Sequence, residues 1–363
     1  MTHPNAVKPI GLKKLPNVDF AELAKDLDAL YLETKAKVGE EDYKHIKAVQ
    51  KKQRFLEIAG RTCLQMSHIP GAWLAGTGCL SVAKIMDNME LGHNVLHGQY
   101  DWTQDPDLNS KKYEWDIVCD SESWKYYHNY EHHTYTNIHE KDRDIGFQYI
   151  RVTQTQEWKW YHIAQVPNYT LLSMFFEWGV AFHALEMERV VNGQDPLKSK
   201  LPIAKRLAKK MGYQLFKDYA FFPALAGFNA PAVFVGNATA NIARNFWTST
   251  IIFCGHFPEG AETFYDEDYQ KESKGQWYYR QLLGSCNIEG KPWLHTMSGH
   301  LSYQIEHHLF PDIPAKRYRE MAPRVREICK KHGLPYNTGS FAKQYGSVLK
   351  NIIKYSFPNK KEK

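Results

Sequence analysis

Three histidine clusters stand in a fixed order along this 363-residue chain, and they constrain its fold more than any other feature. His93 and His97 lie in Gly-His-Asn-Val-Leu-His. His128, His132 and His133 lie in His-Asn-Tyr-Glu-His-His, and His307 and His308 end Gln-Ile-Glu-His-His. A spacing of four puts two imidazoles one helical turn apart on one face, where both can reach one ion. With 17 histidines in the chain, a given three-histidine pattern should arise by chance roughly 0.04 times. Neutral imidazole suits iron, zinc and copper, and so many ligands imply more than one ion. The fold must therefore bring distant helical segments to one dinuclear metal site.

The three clusters, in this order and spacing, resemble the histidine boxes of the membrane fatty-acid desaturases and their hydroxylase relatives. Asp87-Asn88-Met89-Glu90-Leu91-Gly92-His93-Asn94 is similar to that family's first box. Cys254-Gly255-His256-Phe257-Pro258-Glu259-Gly260 and Gln304-Ile305-Glu306-His307-His308-Leu309-Phe310-Pro311 look like its bacterial acyl-CoA desaturase branch. The resemblance covers roughly residues 50 to 350. It implies that His93, His97, His128, His132, His133, His256, His307 and His308 hold two ferrous ions. Gln304 stands where many relatives have a histidine, either as a weak ligand or as the holder of a water; His300 is a possible substitute. Glu90, Asp142, Asp144 and Glu306 are candidate outer carboxylates that fix imidazole tautomers by accepting from the second ring nitrogen. Glu131 is another.

Rival metal chemistries fail on spacing. A zinc metalloprotease helix needs His-Glu-x-x-His, which occurs nowhere. Soluble di-iron carboxylate bundles need two Glu-x-x-His motifs, and only Glu90 to His93 has that form. No Gly-x-Gly-x-x-Gly or Walker loop is present, nor the His-Pro-Gly-Gly motif of a fused cytochrome b5. Electrons are therefore expected from a separate protein, and the resemblance implies a ferredoxin or ferredoxin-reductase-type donor.

No Gly/Ser/Pro-rich linker or internal repeat divides the chain, so one large domain is expected over 51–350, after a helical segment 1–50 and before a basic tail 351–363. The six cysteines are scattered without Cys-x-x-Cys and read as free thiols in a reducing compartment. Lys8, Lys13 and Lys14 precede no apolar run, so no cleaved signal peptide is expected. A net charge of +6 suits anionic lipid or an acidic head group such as coenzyme A. The basic residues form no motif or arm for nucleic acid.

The mean hydropathy of −0.55 favours a soluble helical enzyme. The distribution of charge points the other way. Thr62–Ala83, Tyr219–Ala243 and Asn245–Pro258 contain no Asp, Glu, Lys or Arg. Pro70-Gly71 and Gly236-Asn237 would split these regions into two hairpins, with spans about 55–69, 71–91, 218–235 and 238–257. Lys51, Lys52, Arg54, Arg61, Lys205, Arg206, Lys209 and Lys210 flank them, as the positive-inside rule requires when all helix ends face the cytoplasm. About 20 residues span the hydrocarbon, so the segments are just long enough. The aromatic stretch 160–186 suits a helix lying in the interface. The expected fold is thus all-α: two transmembrane hairpins in the inner membrane, under a cytoplasmic helical cap that holds the di-iron site.

That resemblance implies an oxygen-dependent oxidoreductase acting on a fatty acyl-CoA or acyl lipid. Two hydrogens leave adjacent methylenes of a C16–C18 chain, with Δ9 favoured over front-end Δ6 insertion. Hydroxylation, and iron binding without turnover, are the alternatives. An apolar bent tunnel is expected, with Trp102, Trp115, Tyr127 and Tyr130 as candidate lining.

Overall fold

The computed structural model describes residues 18–265 and 271–359. Lys8, Lys13, Lys14 and the last four residues of the basic tail lie outside them. The described chain is mostly helical, as expected. Its two strands are three residues each, β1 (Asn287–Glu289) and β2 (Thr338–Ser340), paired in parallel.

Helix α1 (Phe20–Ala36) starts where Asp19 accepts from the Ala21 and Glu22 amides. Helix α2 (Glu40–Gln65) then runs without a break past residue 50, so the N-terminal segment and the main body share one helix. After the turn at Pro70-Gly71 comes α3 (Ala72–Met86), which continues as a π-helical segment, Asp87–His93, into Asn94–Leu96. Helix α4 begins at Ser121–Trp124, passes through the π-helical Lys125–His132 and ends in His133–Tyr135. The aromatic stretch forms α5 (Gln165–Met174) and α6 (Phe176–His183). Helix α7 (Leu201–Phe216) continues through π-helical Lys217–Phe221 to Phe222–Leu225. The 27-residue α8 (Ala230–His256) is the central strut, packed on α3, α5, α6 and α7. The cap is completed by α9 (Lys274–Gly284), α10 (Gln304–Leu309), α11 (Tyr318–Lys331) and α12 (Phe341–Tyr355).

One expected turn is misplaced. The second hairpin bends at Gly227–Asn229, and Gly236-Asn237 lies inside α8. Their role there is helix packing. A Cβ on Gly236 would lie 2.5 Å from Leu64 Cδ2, so any larger residue there would force the Leu64 side chain to shift. Asn237 Oδ1 accepts from Arg61 Nη1 at 3.0 Å. A Gly-Asn pair reads as a turn in sequence, but tertiary contacts decide its use here.

Among the described residues, no helix is long and apolar enough to cross a membrane. The reason is visible in α8. Its inward face carries Asn237, Asn241, Arg244, Asn245 and Thr248, all buried, and these lower the apolar average of a helix whose outer face is hydrophobic.

Candidate metal centre

Two helices with π-helical segments deliver the first two histidine clusters. A π turn accommodates one more residue than an α turn and is common at functional sites. Here it aims His93 and His97 from α3, and His128, His132 and His133 from α4, at one point. The short α10 supplies His307 and His308, and the last residue of α8 is His256.

The ring nitrogens fall into two main groups, each with its donor atoms within 4.8 Å of one another: His93, His97, His128 and His307, and His132, His256 and His308. His133 joins His307 and His308 in a third, its ring stacked 4.5 Å from His308. Asp144 groups with His128 and His132. Each of these groups could hold a metal ion. The fit is also visible in what lacks a partner. His97, His128 and His307 Nε2, both nitrogens of His133, His256 Nδ1 and Gln304 Oε1 are buried without a hydrogen bond. Buried polar atoms are normally satisfied, so orphans gathered at one point fit the donor set of a cation site. Burial, and then the neighbouring imidazoles, hold His97, His133, His307 and His308 well below the ordinary histidine pKa, so they are neutral and free to ligate.

The outer contacts keep the rings in place. His132 Nδ1 donates to Asp142, 3.0 Å away. Burial disfavours its imidazolium, but Asp142 and then Asp144 outweigh that and raise its pKa. Asp144 also lies 3.7 Å from His128 and 3.1 Å from His183. His308 Nδ1 donates to Gln281 Oε1 at 3.1 Å, His307 Nδ1 to Tyr318 Oη at 3.4 Å, and His93 Nδ1 to Asn94 Oδ1 at 3.3 Å. Gln281 and Tyr318 carry no sequence signal that ties them to a box. Asn94 follows His93 directly, so adjacency was a clue.

Two expected carboxylates do something else. Glu90 accepts from His300 Nδ1 at 2.9 Å and lies 3.3 Å from His45 Nε2, so both Glu90 and His300 stand apart from the two histidine groups. Glu306 is held by Asn287 and Tyr336 at 2.8 and 2.9 Å, and burial pushes its pKa up to about 7. Glu131 pairs with Arg143 at 2.9 Å. Gln304 donates from Nε2 to His256 Nε2 at 3.0 Å. A Cβ on Gly255 would lie 2.9 Å from the Gln304 side chain, so that glycine makes its seat. His162 and His295 are satisfied by ordinary hydrogen bonds.

Beside the histidines runs a mostly apolar cavity. Trp115 and Tyr127 line it, with Trp124, Phe147, Phe176 and Val180. Trp102 and Tyr130 do not; they are 42% and 55% exposed. Trp124, which sequence reasoning missed, stacks on His128 with ring centroids 4.3 Å apart.

The fatty acid desaturase family model matches residues 71–340, which include all three histidine clusters and α8. The chain belongs to the fatty acid desaturase family. Among its relatives, an NADPH-dependent stearoyl-CoA 9-desaturase of Mycobacterium tuberculosis is 45% identical over 350 residues, covering 95% of this chain and 82% of the relative. The sn-1 linoleoyl-lipid 6-desaturase of Synechocystis is 26% identical over 278 residues, covering 72% and 74%. Human fatty acid desaturase 3 is 25% identical over 236 residues, covering 64% and 50%. As a desaturase, this chain is an oxidoreductase of lipid metabolism.

Proposed function

We propose that the protein is an acyl-CoA Δ9 desaturase with a di-iron centre. It takes two hydrogens from adjacent methylenes of a saturated C16–C18 chain; with dioxygen, two electrons and two protons, the products are a cis double bond and two waters. One observation carries this reading: unpartnered, neutral imidazoles converge on the wall of an apolar cavity, in a chain 45% identical to a stearoyl-CoA 9-desaturase.

His93, His97, His128 and His307 would hold one iron, and His132, His256 and His308 the other, with His133 between them. Gln304 Oε1 faces the same space without a partner and is suited to hold a water or a weak bond to metal. When bound, the irons supply the activation of dioxygen that unactivated C–H bonds require. The chain's own residues supply position. Trp115, Trp124, Phe147 and Phe176 exclude water and hold one stretch of alkyl chain against the histidine wall. Asp142 and Gln281 fix the tautomers of His132 and His308 so that Nε2 points inward. Electrons come from a separate ferredoxin or ferredoxin-type reductase.

The inner membrane is the proposed location, with the histidine end on the cytoplasmic side. In support, large apolar side chains stand exposed along α2 (Phe55, Ile58), α3 (Leu74), α7 (Phe216, Phe221, Leu225) and α8 (Phe234, Val235, Phe246). So many exposed apolar groups mark a surface that meets lipid or another protein. Helix α8, at about 1.5 Å per residue, is roughly 40 Å long, more than a hydrocarbon core requires.

The test is expression in a host that lacks the activity, with mass spectrometry of double-bond positions. New Δ9 16:1 and 18:1 are expected. Double bonds at Δ6, or hydroxylated chains, would move the assignment to those relatives, and an unchanged lipid profile with iron bound would overturn it.

A further inference from the structure

The acyl cavity ends on charge. Successive inward positions of α8, namely His256, Ile252, Thr248 and Asn245, line it from the histidine end downward. The next inward residue, Asn241, lines a different cavity with Asp116, Asp218 and Tyr219. Glu177 of α6 lies in both linings and is the partition. Its carboxylate is clamped: Arg244 Nη2 lies 2.5 Å away, Asn245 Nδ2 donates to it at 3.3 Å and the Val118 amide at 3.1 Å. Arg244 is fixed in turn by donating to the Asp116 carbonyl at 2.8 Å.

We propose that Glu177, held by Arg244 and Asn245, is the floor of the acyl cavity and sets the longest chain accepted beyond the reacting carbons. This rests on the acyl-desaturase reading above. From His256 to Asn245, α8 rises about 16 Å at about 1.5 Å per residue. An extended alkyl chain with bonds of about 1.5 Å advances about 1.3 Å per carbon, so a nine-carbon tail needs about 11 Å and a thirteen-carbon tail about 17 Å. With the double bond at C9, a C18 chain fits above the floor and a C22 chain meets it. An apolar floor could yield by a change of rotamer. Parting this pair would leave an uncompensated buried charge, which a terminal methyl cannot offset. The cut-off is therefore sharp.

The full-length protein is assayed in lipid nanodiscs with saturated C14- to C22-CoA, by equilibrium binding and by product analysis with its electron donor. Wild type should gain up to about fourfold in affinity per added methylene that is fully buried as far as C18, then lose at C22. Glu177→Val with Arg244→Met replaces the pair by apolar groups and joins the cavities. It should raise C22 relative to C18 at least tenfold, in both affinity and product, with the double bond still nine carbons from the carboxyl. Thr248→Phe fills the cavity one turn above the floor and should favour C14 over C18 by at least tenfold. Wild-type length profiles in both variants, with iron retained, would overturn the floor alone. Should the double variant fail to fold, an unmoved profile in Thr248→Phe decides against it. No binding or turnover of any acyl-CoA by wild type would overturn the desaturase reading, and the floor with it.

Discussion

Two buried polar clusters share α8, and they are built on opposite plans. At its C-terminal end, eight imidazoles crowd together and many of their nitrogens face no protein partner. Midway along it, every charge faces an opposite one. Arg61 and Lys84 reach Asp218 at 2.8 and 2.9 Å, Lys84 reaches Asp116 at 2.8 Å, Lys217 pairs with Asp116, and Arg244 with Glu177. The first cluster is incomplete without something added, so it binds. The second answers charge with charge within the chain, with Arg61 Nε and Asn241 Oδ1 left without a hydrogen-bond partner, so it holds α2, α3, α7 and α8 together. Burial and charge alone do not separate a site from a scaffold; unmet hydrogen-bonding capacity does.

That contrast predicts different failures. Replacing any one of His97, His132 or His308 by alanine should abolish desaturation, with iron per protein falling and the protein still recovered folded. Product chromatography beside metal analysis checks this, and near-normal product from two of the three would erase the distinction. In the charged cluster, Lys84→Ala should cost up to about 3–5 kcal/mol of stability, because it removes the cation shared by Asp116 and Asp218 and leaves each with one other basic partner, Lys217 and Arg61, read as a lowered unfolding midpoint of the iron-free protein. Lys84→Met with Asp218→Leu should recover part of that loss.

Asp142→Asn tests the boundary between the two plans, because it keeps shape while weakening the grip on His132. Iron affinity should fall about 10- to 100-fold, with the unfolding midpoint changed little. Gln304→His should keep full iron and activity within a few-fold, since Gln304 Oε1 has no protein partner to lose; full iron with no product would give Gln304 a role that imidazole cannot fill. Tyr130→Ala and Trp102→Ala, both at exposed side chains, should leave turnover within about twofold and stability within about 0.5 kcal/mol.

The histidine clusters were legible because ligand spacing is written in residue identity and number. So was the first hairpin, whose turn at Pro70-Gly71 has no competing use. The second turn was hidden because Gly236 and Asn237 owe their presence to Leu64 and Arg61, residues about 175 positions away. Gln281 and Tyr318 lie nearer in sequence to His308 and His307, 27 and 11 positions away, but at no spacing that a metal-ligand motif marks. Glu90 and Glu306 misled for the converse reason: proximity in sequence put them beside a box, while the fold turned their carboxylates to His300, Asn287 and Tyr336. Asp142 and Asp144 were found because the loop after α4 returns at once to the same face.

The π-helical segments at Asp87–His93 and Lys125–His132 also bear on how such a chain can change over generations. Each holds one residue more than an α-helix would at that place. Loss of a single codon inside either one would restore ordinary winding and rotate everything beyond it by about 100°, carrying one set of imidazoles out of the centre at a stroke. Inheritance can trade the side chains of these stretches other than the histidines, but it cannot alter their length.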